Sequence, residues 1–311
     1  MRPIGVLRPE RRPPAERVRD RLRDRAGAGI ADRMPAGYQR LGRVLLLRLP
    51  ETLRPYFAEI GAAWQAELKV ATVLAVSGPV SGEFRTPQVE RIAGTETETE
   101  VVEHGIRWKF DAARIMFAAG NRTERVRVGR IVQAGETVVD LFAGIGYFAI
   151  PAARPGRASR VVAVEKNPVA IGYLRANVVL NGVADRVEIV PGDNRTVRLT
   201  AGDADRVFLG YLPSAIPWIP VALEAARPAG SWLHVHTVAD AREAREDATE
   251  QVGRTLLAAG WSLLEPMRAR EVKPYGPGRT HVVVDAHVCR SHGEGTVVPL
   301  QDGVGAPDPT R

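Results

Sequence analysis

From residue 137 onward the sequence predicts an α/β fold, a doubly wound parallel sheet closed by a C-terminal antiparallel hairpin. A small α+β domain is expected in front of it. Three observations predict this. Short apolar runs alternate with helical segments, the pattern of a parallel sheet with helical crossovers. The last two runs, Ser262–Val272 and His281–Val288, follow each other without a helix and so should pair antiparallel. A glycine-rich turn, Gly144-Ile145-Gly146, stands directly after the first strand of the series.

The elements follow in chain order. Val18 and Leu22 are four apart, the spacing of one helical face. They sit among arginines and prolines, so residues 1–37 are expected to be a basic, flexible arm, with a short basic helix through Val18 and Leu22 as the alternative. The small domain is expected over 38–108. Val44-Leu45-Leu46-Leu47 reads as a buried strand ending at Pro50, a helix spans Leu53 to Leu68, and Thr72–Val76 is a second strand. Further strands are expected at Glu90–Ala93 and over Glu100–Trp108 across a turn at Gly105. The main domain is expected over 109–290. Its strands are Thr137–Phe142, Arg160–Glu165, Val187–Val190, Arg206–Leu209, Ser231–Thr237 and the two of the hairpin. Its helices are Tyr147–Ala153, Pro168–Asn181, Ile216–Ala226 and Asp240–Ala259. Pro217 and Pro220 fall in the first turn of the third helix, where proline is tolerated. Residues 291–311 are rich in glycine, proline and polar residues and are expected to be a disordered tail.

Composition narrows the function classes. The 311 residues are 45% hydrophobic and 25% charged, as in ordinary globular proteins. No apolar run is long enough to cross a membrane, and the Arg-rich N-terminus lacks the apolar core of a secretory signal. A single cysteine, Cys289, excludes an intrachain disulfide framework or a Cys-based metal cluster. A cytoplasmic monomer without a metal is expected. The net charge is +7, and residues 1–48 alone hold 13 arginines against 5 acids, so the excess belongs to the N-terminal segment. Thirty-nine arginines against 4 lysines reflect coding bias first, although arginine also suits phosphate.

The strongest chemical signal is Val138-Val139-Asp140-Leu141-Phe142-Ala143-Gly144-Ile145-Gly146-Tyr147-Phe148. Gly144 and Gly146 let a ligand approach the backbone, and the following helix should point its N-terminus at that ligand. Glu165 ends the next strand, 21 residues after Gly144. An acid there suits the two ribose hydroxyls of an adenosyl group. Asp193-Asn194, after the third strand, can accept from an adenine amine. Nicotinamide dinucleotides prefer a third glycine where this sequence has Phe148 or Ala149. S-adenosylmethionine (SAM) has no pyrophosphate to place there, so the loop, with its strand order, reads as a Rossmann-like class I SAM transferase.

At this point the residues resemble a known family. Asp140–Ile150 with Glu165-Lys166-Asn167-Pro168 is similar to the tRNA guanine-37 N1-methyltransferases of archaea and eukaryotes. It is also similar to their relatives, the wybutosine-synthesis transferases that move a 3-amino-3-carboxypropyl group from SAM to a tricyclic guanosine of tRNA. Further matches are Gly82-Glu83-Phe84-Arg85 with Pro87, Ile115-Met116-Phe117, Gly120-Asn121, Glu124-Arg125, Gly192-Asp193-Asn194-Arg195 and Lys273-Pro274-Tyr275-Gly276-Pro277. The methyltransferases carry Asn-Leu-Pro after the fourth strand and Pro-Arg before the Glu-Arg. Here Tyr211-Leu212-Pro213 and Gly120-Asn121-Arg122 stand instead. Both departures resemble the aminocarboxypropyl branch.

The resemblance implies SAM as group donor and tRNA as acceptor, with a small-molecule acceptor on the same scaffold as the alternative. Cofactor contacts are expected from Asp140, Phe142, Gly144, Gly146, Glu165, Lys166, Asp193, Asn194, Glu124 and Arg125. Tyr211, Pro213 and Asn121 are expected at the reacting groups. Tyr211 would stack on the acceptor base, and Asn121, Glu124 and Arg125 would hold the amino-acid moiety aside. Glu124 and Arg125 could equally be an exposed helix pair. His234 and His236 share a strand face and are read as packing residues. His281 and Lys273 lie in the last hairpin near the switch-point edge, where an RNA contact is the alternative to a purely structural role.

Overall fold

The computed structural model describes residues 12–26, 28–199 and 202–291. Residues 1–11 of the expected arm and 292–311 of the expected tail therefore lie outside the described residues. The chain divides into two compact units, residues 1–122 with 167–182, and residues 123–166 with 183–311. The division sends 109–122 and one helix to the first unit, whereas a break after residue 108 was expected.

In the first unit the arginine-rich segment is helical, α1 (Pro14–Ala26) and α2 (Ala28–Arg33). Ala15, Val18, Leu22, Ile30 and Met34 are buried with Leu45, Leu53, Ile60 and Trp64. This corrects the flexible arm for residues 14–33. The i, i+4 apolar pair has a core to join, and the arginines between face acids such as Glu67, 2.6 Å from Arg17. A four-stranded sheet follows, β1 (Tyr38–Leu41), β2 (Val44–Leu47), β3 (Thr72–Ser81) and β4 (Thr86–Ala93), in that order. β2 and β3 are parallel, with a 3-10 turn (Glu51–Tyr56) and α3 (Phe57–Leu68) between them in the chain. β3 runs on through Gly78-Pro79, beyond the expected end at Val76. Irregular register against β4 accommodates the missing proline N–H.

A hairpin, β5 (Glu98–Glu103) and β6 (Ile106–Asp111), turns at His104-Gly105. A 3-10 turn over Ala119–Asn121 then leads into α4 (Arg122–Ile131).

The second unit holds an eight-stranded sheet. Its strands are β7 (Thr137–Asp140), β8 (Arg160–Glu165), β9 (Val187–Pro191), β10 (Arg206–Leu209), β11 (Ser231–Asp240), β12 (Trp261–Leu263), β13 (Arg268–Gly276) and β14 (Arg279–Arg290). In space the order is β12-β14-β11-β10-β7-β8-β9, and β13 also pairs with β14. β9, β8, β7, β10 and β11 are parallel, while β14 is antiparallel to β11, β12 and β13. The expected strand Ser262–Val272 is thus two strands along β14, broken at Glu265-Pro266.

The helices are α5 (Ala149–Ala153), α6 (Pro168–Leu180, in the first unit), α7 (Ile219–Ala225) and α8 (Ala244–Ala258). Asn167 caps α6, its Oδ1 accepting from Val169 N at 3.0 Å, with Pro168 in the first turn. α8 starts four residues later than expected because β11 pairs with β14 as far as Asp240. One core layer joins Val139, Val207, Leu209 and Val235 to Ile219, Ala222, Ala248 and Val252. The order of β7 and β10 reverses the winding, so the crevice at their carboxyl ends is where such sheets bind ligands. No described helix is long and apolar enough to cross a membrane.

Candidate active site

The glycine loop is held from both sides. Leu141 N donates to Phe208 O of β10 at 3.0 Å, and Ala143 N donates to Val164 O of β8 at 2.9 Å. Gly144 and Gly146 have φ of +56° and +104°, a region costly for other residues. A Cβ on Gly144 would lie 2.9 Å from the Tyr147 ring. The Tyr147 ring therefore takes the space a side chain on Gly144 would need, while the two glycines give the Cβ-free backbone expected beside an adenosyl donor. Asp140, fully buried, accepts from Phe142 N and Ala149 N, each at 3.2 Å. Burial nevertheless dominates and pushes its carboxyl up to about 7. One expectation changes here. The helix after the loop is only the five-residue α5, and the N–H of Ala149 is taken by Asp140, so its N-terminus is not aimed at a ligand.

Glu165 closes the loop from β8. Its Oε2 accepts from Gly144 N at 2.7 Å and its Oε1 from Lys166 N at 3.0 Å. Lys166 Nζ lies 3.4 Å from Asp193 Oδ2, and Arg195 NH2 lies 2.6 Å from the same oxygen. Arg195 holds the Asp193 carboxyl well below its usual range. Buried Asn194 uses its Nδ2 to donate to Leu141 O at 2.8 Å, tying the β9 loop to the glycine loop. The structure thus brings Asp140, Phe142, Gly144, Gly146, Glu165, Lys166, Asp193 and Asn194 to one sheet edge.

The β10 loop completes that edge. The Tyr211 ring stacks on Phe142, centroids 5.1 Å apart. Trp218 meets Phe142 edge-on at 5.4 Å and Tyr211 at 5.0 Å. All three rings are only partly buried. Pro213, exposed, follows in a cis peptide with Leu212. Trp218 was missed by the sequence reading because it stands seven residues beyond Tyr211, in a turn read as plain helix. Ser214 and Thr237 pin this loop to β11, Thr237 Oγ1 donating to Ser214 Oγ at 3.1 Å.

Glu124 and Arg125 are both buried, at 1% and 5% exposure, so the exposed-pair alternative is excluded. Arg125 lies over the Tyr147 ring at 5.8 Å, a cation–π contact. Glu124 is engaged by Arg127, 2.7 Å from Oε1, and Arg270, 2.6 Å from Oε2. These cations and the charge interaction with His236 hold its carboxyl low despite burial, the largest opposing effect. Arg127 also forks onto Asp285 at 2.9 and 3.0 Å. Asp285 Oδ1 lies 2.5 Å from His234 Nδ1, and Arg206 NH1 donates to His234 Nε2 at 2.8 Å. Because arginine only donates, His234 carries its proton on Nδ1. Burial pushes His234 and His236 down to about 4. His281 is fully buried, which removes it from the alternative RNA contact. Asn121 belongs to the first unit, where its buried Oδ1 has no hydrogen-bond partner among the described residues.

Comparison with known proteins decides the family. Residues 99–259 match the TRM5/TYW2 methyltransferase domain, and residues 18–97 match the TYW2 N-terminal domain. A tRNA(Phe) (4-demethylwyosine(37)-C(7)) aminocarboxypropyltransferase of Pyrococcus horikoshii is 36% identical over 277 residues, spanning 88% of this chain and 97% of that protein. This chain belongs to the TYW2 family. Its fold is similar to the crystal structure of P. horikoshii TYW2 in complex with MeSAdo, with a TM-score of 0.79 at 34% identity, covering 89% of this chain and 100% of that one. M. jannaschii TYW2 in complex with AdoMet gives 0.67 at 32% identity, covering 82% and 100%.

Family membership also accounts for the N-terminal correction. The TYW2 N-terminal domain begins at Val18, inside α1, so this helix is part of the domain rather than a tether to it.

Proposed function

We propose that this chain transfers a 3-amino-3-carboxypropyl group from SAM to carbon 7 of 4-demethylwyosine at position 37 of tRNA(Phe), releasing methylthioadenosine. The observation that carries the reading is the aromatic trio of Phe142, Tyr211 and Trp218 beside the glycine loop. Where a methyltransferase of this family presents an asparagine to a ring nitrogen, Tyr211 presents an aromatic face. A carbon nucleophile on a flat tricycle needs stacking and alignment more than a hydrogen-bond acceptor. The bound donor supplies a sulfonium with three electrophilic carbons, and near-attack geometry selects among them.

The chain's residues then divide the work. Glu165 serves the ribose, Asp193 and Asn194 the adenine side, and Gly144 and Gly146 the backbone approach. Arg125, steadied on Tyr147, takes the carboxylate of the amino-acid moiety and turns it so that Cγ faces the acceptor. Glu124, with both oxygens on arginines, fixes α4 rather than holding the ammonium. We further infer a monomer, checked by light scattering of the purified chain, and a cytoplasmic location, checked by fractionation of the cells that make it.

The test is a reaction with SAM and tRNA(Phe) carrying the tricyclic base, read by mass spectrometry. The aminocarboxypropyl adduct and methylthioadenosine are expected. Adenosylhomocysteine as the sole by-product would mean methyl transfer and overturn the reading. An adduct on a free nucleoside with inert tRNA would move the acceptor to a small molecule.

A further inference from the structure

The charges along β13 change character toward its tip. At the base, Arg268 lies 3.1 Å from Glu265, Arg270 2.6 Å from Glu124, and Glu271 3.1 Å from Arg245. Beyond Glu271 the hairpin into β14 carries Lys273 and Arg279 and no acid. Arg279 NH2 donates to the Val238 carbonyl at 2.9 Å, a neutral acceptor that leaves its charge uncancelled. Asp240, opposite Arg279 on β11, and Glu243 add two acids and Arg242 a further cation, so the tip stays net positive.

Tyr275 stands between the two hairpin cations and is 41% exposed. Among the described residues its ring meets no other ring, and its hydroxyl has no hydrogen-bond partner. β13 slips register between Pro274 and Gly276, so Tyr275 is the bulged residue left out of the ladder. A bulge of this kind re-aims a side chain, and Pro274 and Pro277 stiffen the chain on either side of it. A Cβ on Gly276 or Gly278 would meet nothing within 4 Å, so the space around the tip is open.

The tip rises beside the crevice. Ala215 N donates to His236 O at 2.9 Å and Ser214 bridges Thr237, so the loop carrying Tyr211 leans on β11 at those two residues. β11 runs three residues further, to Asp240, still paired with β14 down to Arg279. That carries the strand about 10 Å past the loop. β14 and then β13 lie outward from β11, which puts β13 about 14 Å from β10. A base seated at Tyr211 therefore brings the nucleotides next to it toward this rim.

We propose that the β13–β14 tip holds the RNA beside the base being modified. Tyr275 stacks on an unpaired neighbouring base, and Lys273 and Arg279 supply charge for its phosphates. This rests on tRNA as the acceptor. Unpaired loop bases have open faces that stack on aromatic side chains, whereas a duplex has its faces covered already. An exposed tyrosine aimed out of a cationic, proline-stiffened tip suits the first and not the second.

The test measures binding of tRNA(Phe) bearing 4-demethylwyosine to the full chain, with SAM affinity by calorimetry as the control for the fold. Tyr275→Ala should bind this tRNA about tenfold more weakly. Tyr275→Phe should bind it as the wild type does, and both should keep the wild-type affinity for SAM. Stacking releases no counterions, so Tyr275→Ala should leave the salt dependence of binding unchanged, while Lys273→Gln should lower its slope by about one. Abasic sites placed one at a time on either side of position 37 locate the stacked base. One of them should weaken the wild type by the same factor and Tyr275→Ala no further. Wild-type tRNA affinity in Tyr275→Ala, a loss that phenylalanine does not restore, or no abasic site coupled to Tyr275 would overturn the proposal. So would an equal loss of SAM affinity, which would make Tyr275 part of the fold. A wild type that binds no tRNA and acts on a free nucleoside would instead sink the reading beneath it.

Discussion

Two places in the second unit bury charge, and they do it in opposite ways. At the glycine loop, Asp140 accepts from backbone N–H groups with no cation beside it, and burial, joined by the like charge of Glu165, pushes its carboxyl up to about 7. Beside α4, Glu124 and Asp285 face arginines and stay ionised, while burial pushes His234 and His236 down to about 4. The first arrangement is local, made within ten residues of chain. The second joins α4, β11, β13 and β14. The difference teaches that backbone amides can hold a carboxyl in place for a ligand without a countercharge. A cluster of arginines and acids instead locks distant strands together and tolerates no missing member.

Removing one member of the cluster should give the largest effect. Asp285→Ala takes one of their two partners from Arg127, which keeps Glu124, and from His234, which keeps Arg206, in a buried setting, and a loss of about 3–5 kcal/mol is expected in urea unfolding. A loss below about 1 kcal/mol would make the cluster no different from surface pairs.

Acid should come next, with opposite signs at the two places. His234 and His236 are neutral in the fold and protonate in the unfolded chain below about 6.5. Their stabilisation is complete above that pH and is lost as pH falls through about 4. Asp140 contributes the reverse. Its share is complete below the unfolded value of 3.8 and is lost as pH rises through about 7. Melting temperatures of the wild type and Asp140→Asn across pH 4–8 check both, the variant gaining relative stability as pH rises from about 4 to about 7 and levelling off above.

Gly144→Ala should be smaller, about 1–2 kcal/mol for a left-handed residue, with a Cβ pressed 2.9 Å from the Tyr147 ring. SAM affinity should fall in calorimetry as the loop shifts. The smallest effect is expected at the exposed pair on the same edge. Arg195→Ala should cost about 0–1 kcal/mol while letting the Asp193 carboxyl rise toward its ordinary range in an NMR titration.

How much was legible in the sequence follows the same division. The strand–glycine–helix signature and Glu165 were read directly, because a strand end, two glycines and the next strand end are set by local geometry. β10 was read to the residue, Arg206–Leu209. Glu124 and Arg125 were read as a motif but not as buried, because their partners come from 127, 147 and 270. α1 was open as a helix but its burial was missed, for a like reason. Its apolar positions are sparse among arginines, and only the neighbouring α3 and β2 give Val18 and Leu22 something to bury against.

The clearest case of what no local pattern announces is the edge of β6. Asn177 accepts from Lys109 N at 2.8 Å and donates to Lys109 O at 3.1 Å. Asn181 does the same for Arg107, at 2.9 and 2.8 Å. Two asparagines one turn apart, one in the last turn of α6 and one capping its C-terminus, satisfy a strand edge as a further strand would. In the sequence they read as unremarkable helix residues.

The sequence by itself determined the α/β alternation, the hairpin at its end, the adenosyl-type loop and the branch signature at Tyr211-Leu212-Pro213. Each depends on spacing within a few residues or on the order of elements along the chain. Only the tertiary structure decided that Trp218 joins Phe142 and Tyr211, that Glu124 is held by two arginines, and that two histidines 45 residues apart share a hydrogen bond. Those are contacts between elements, and their energy comes from excluding water around groups that the chain brings together only when it folds.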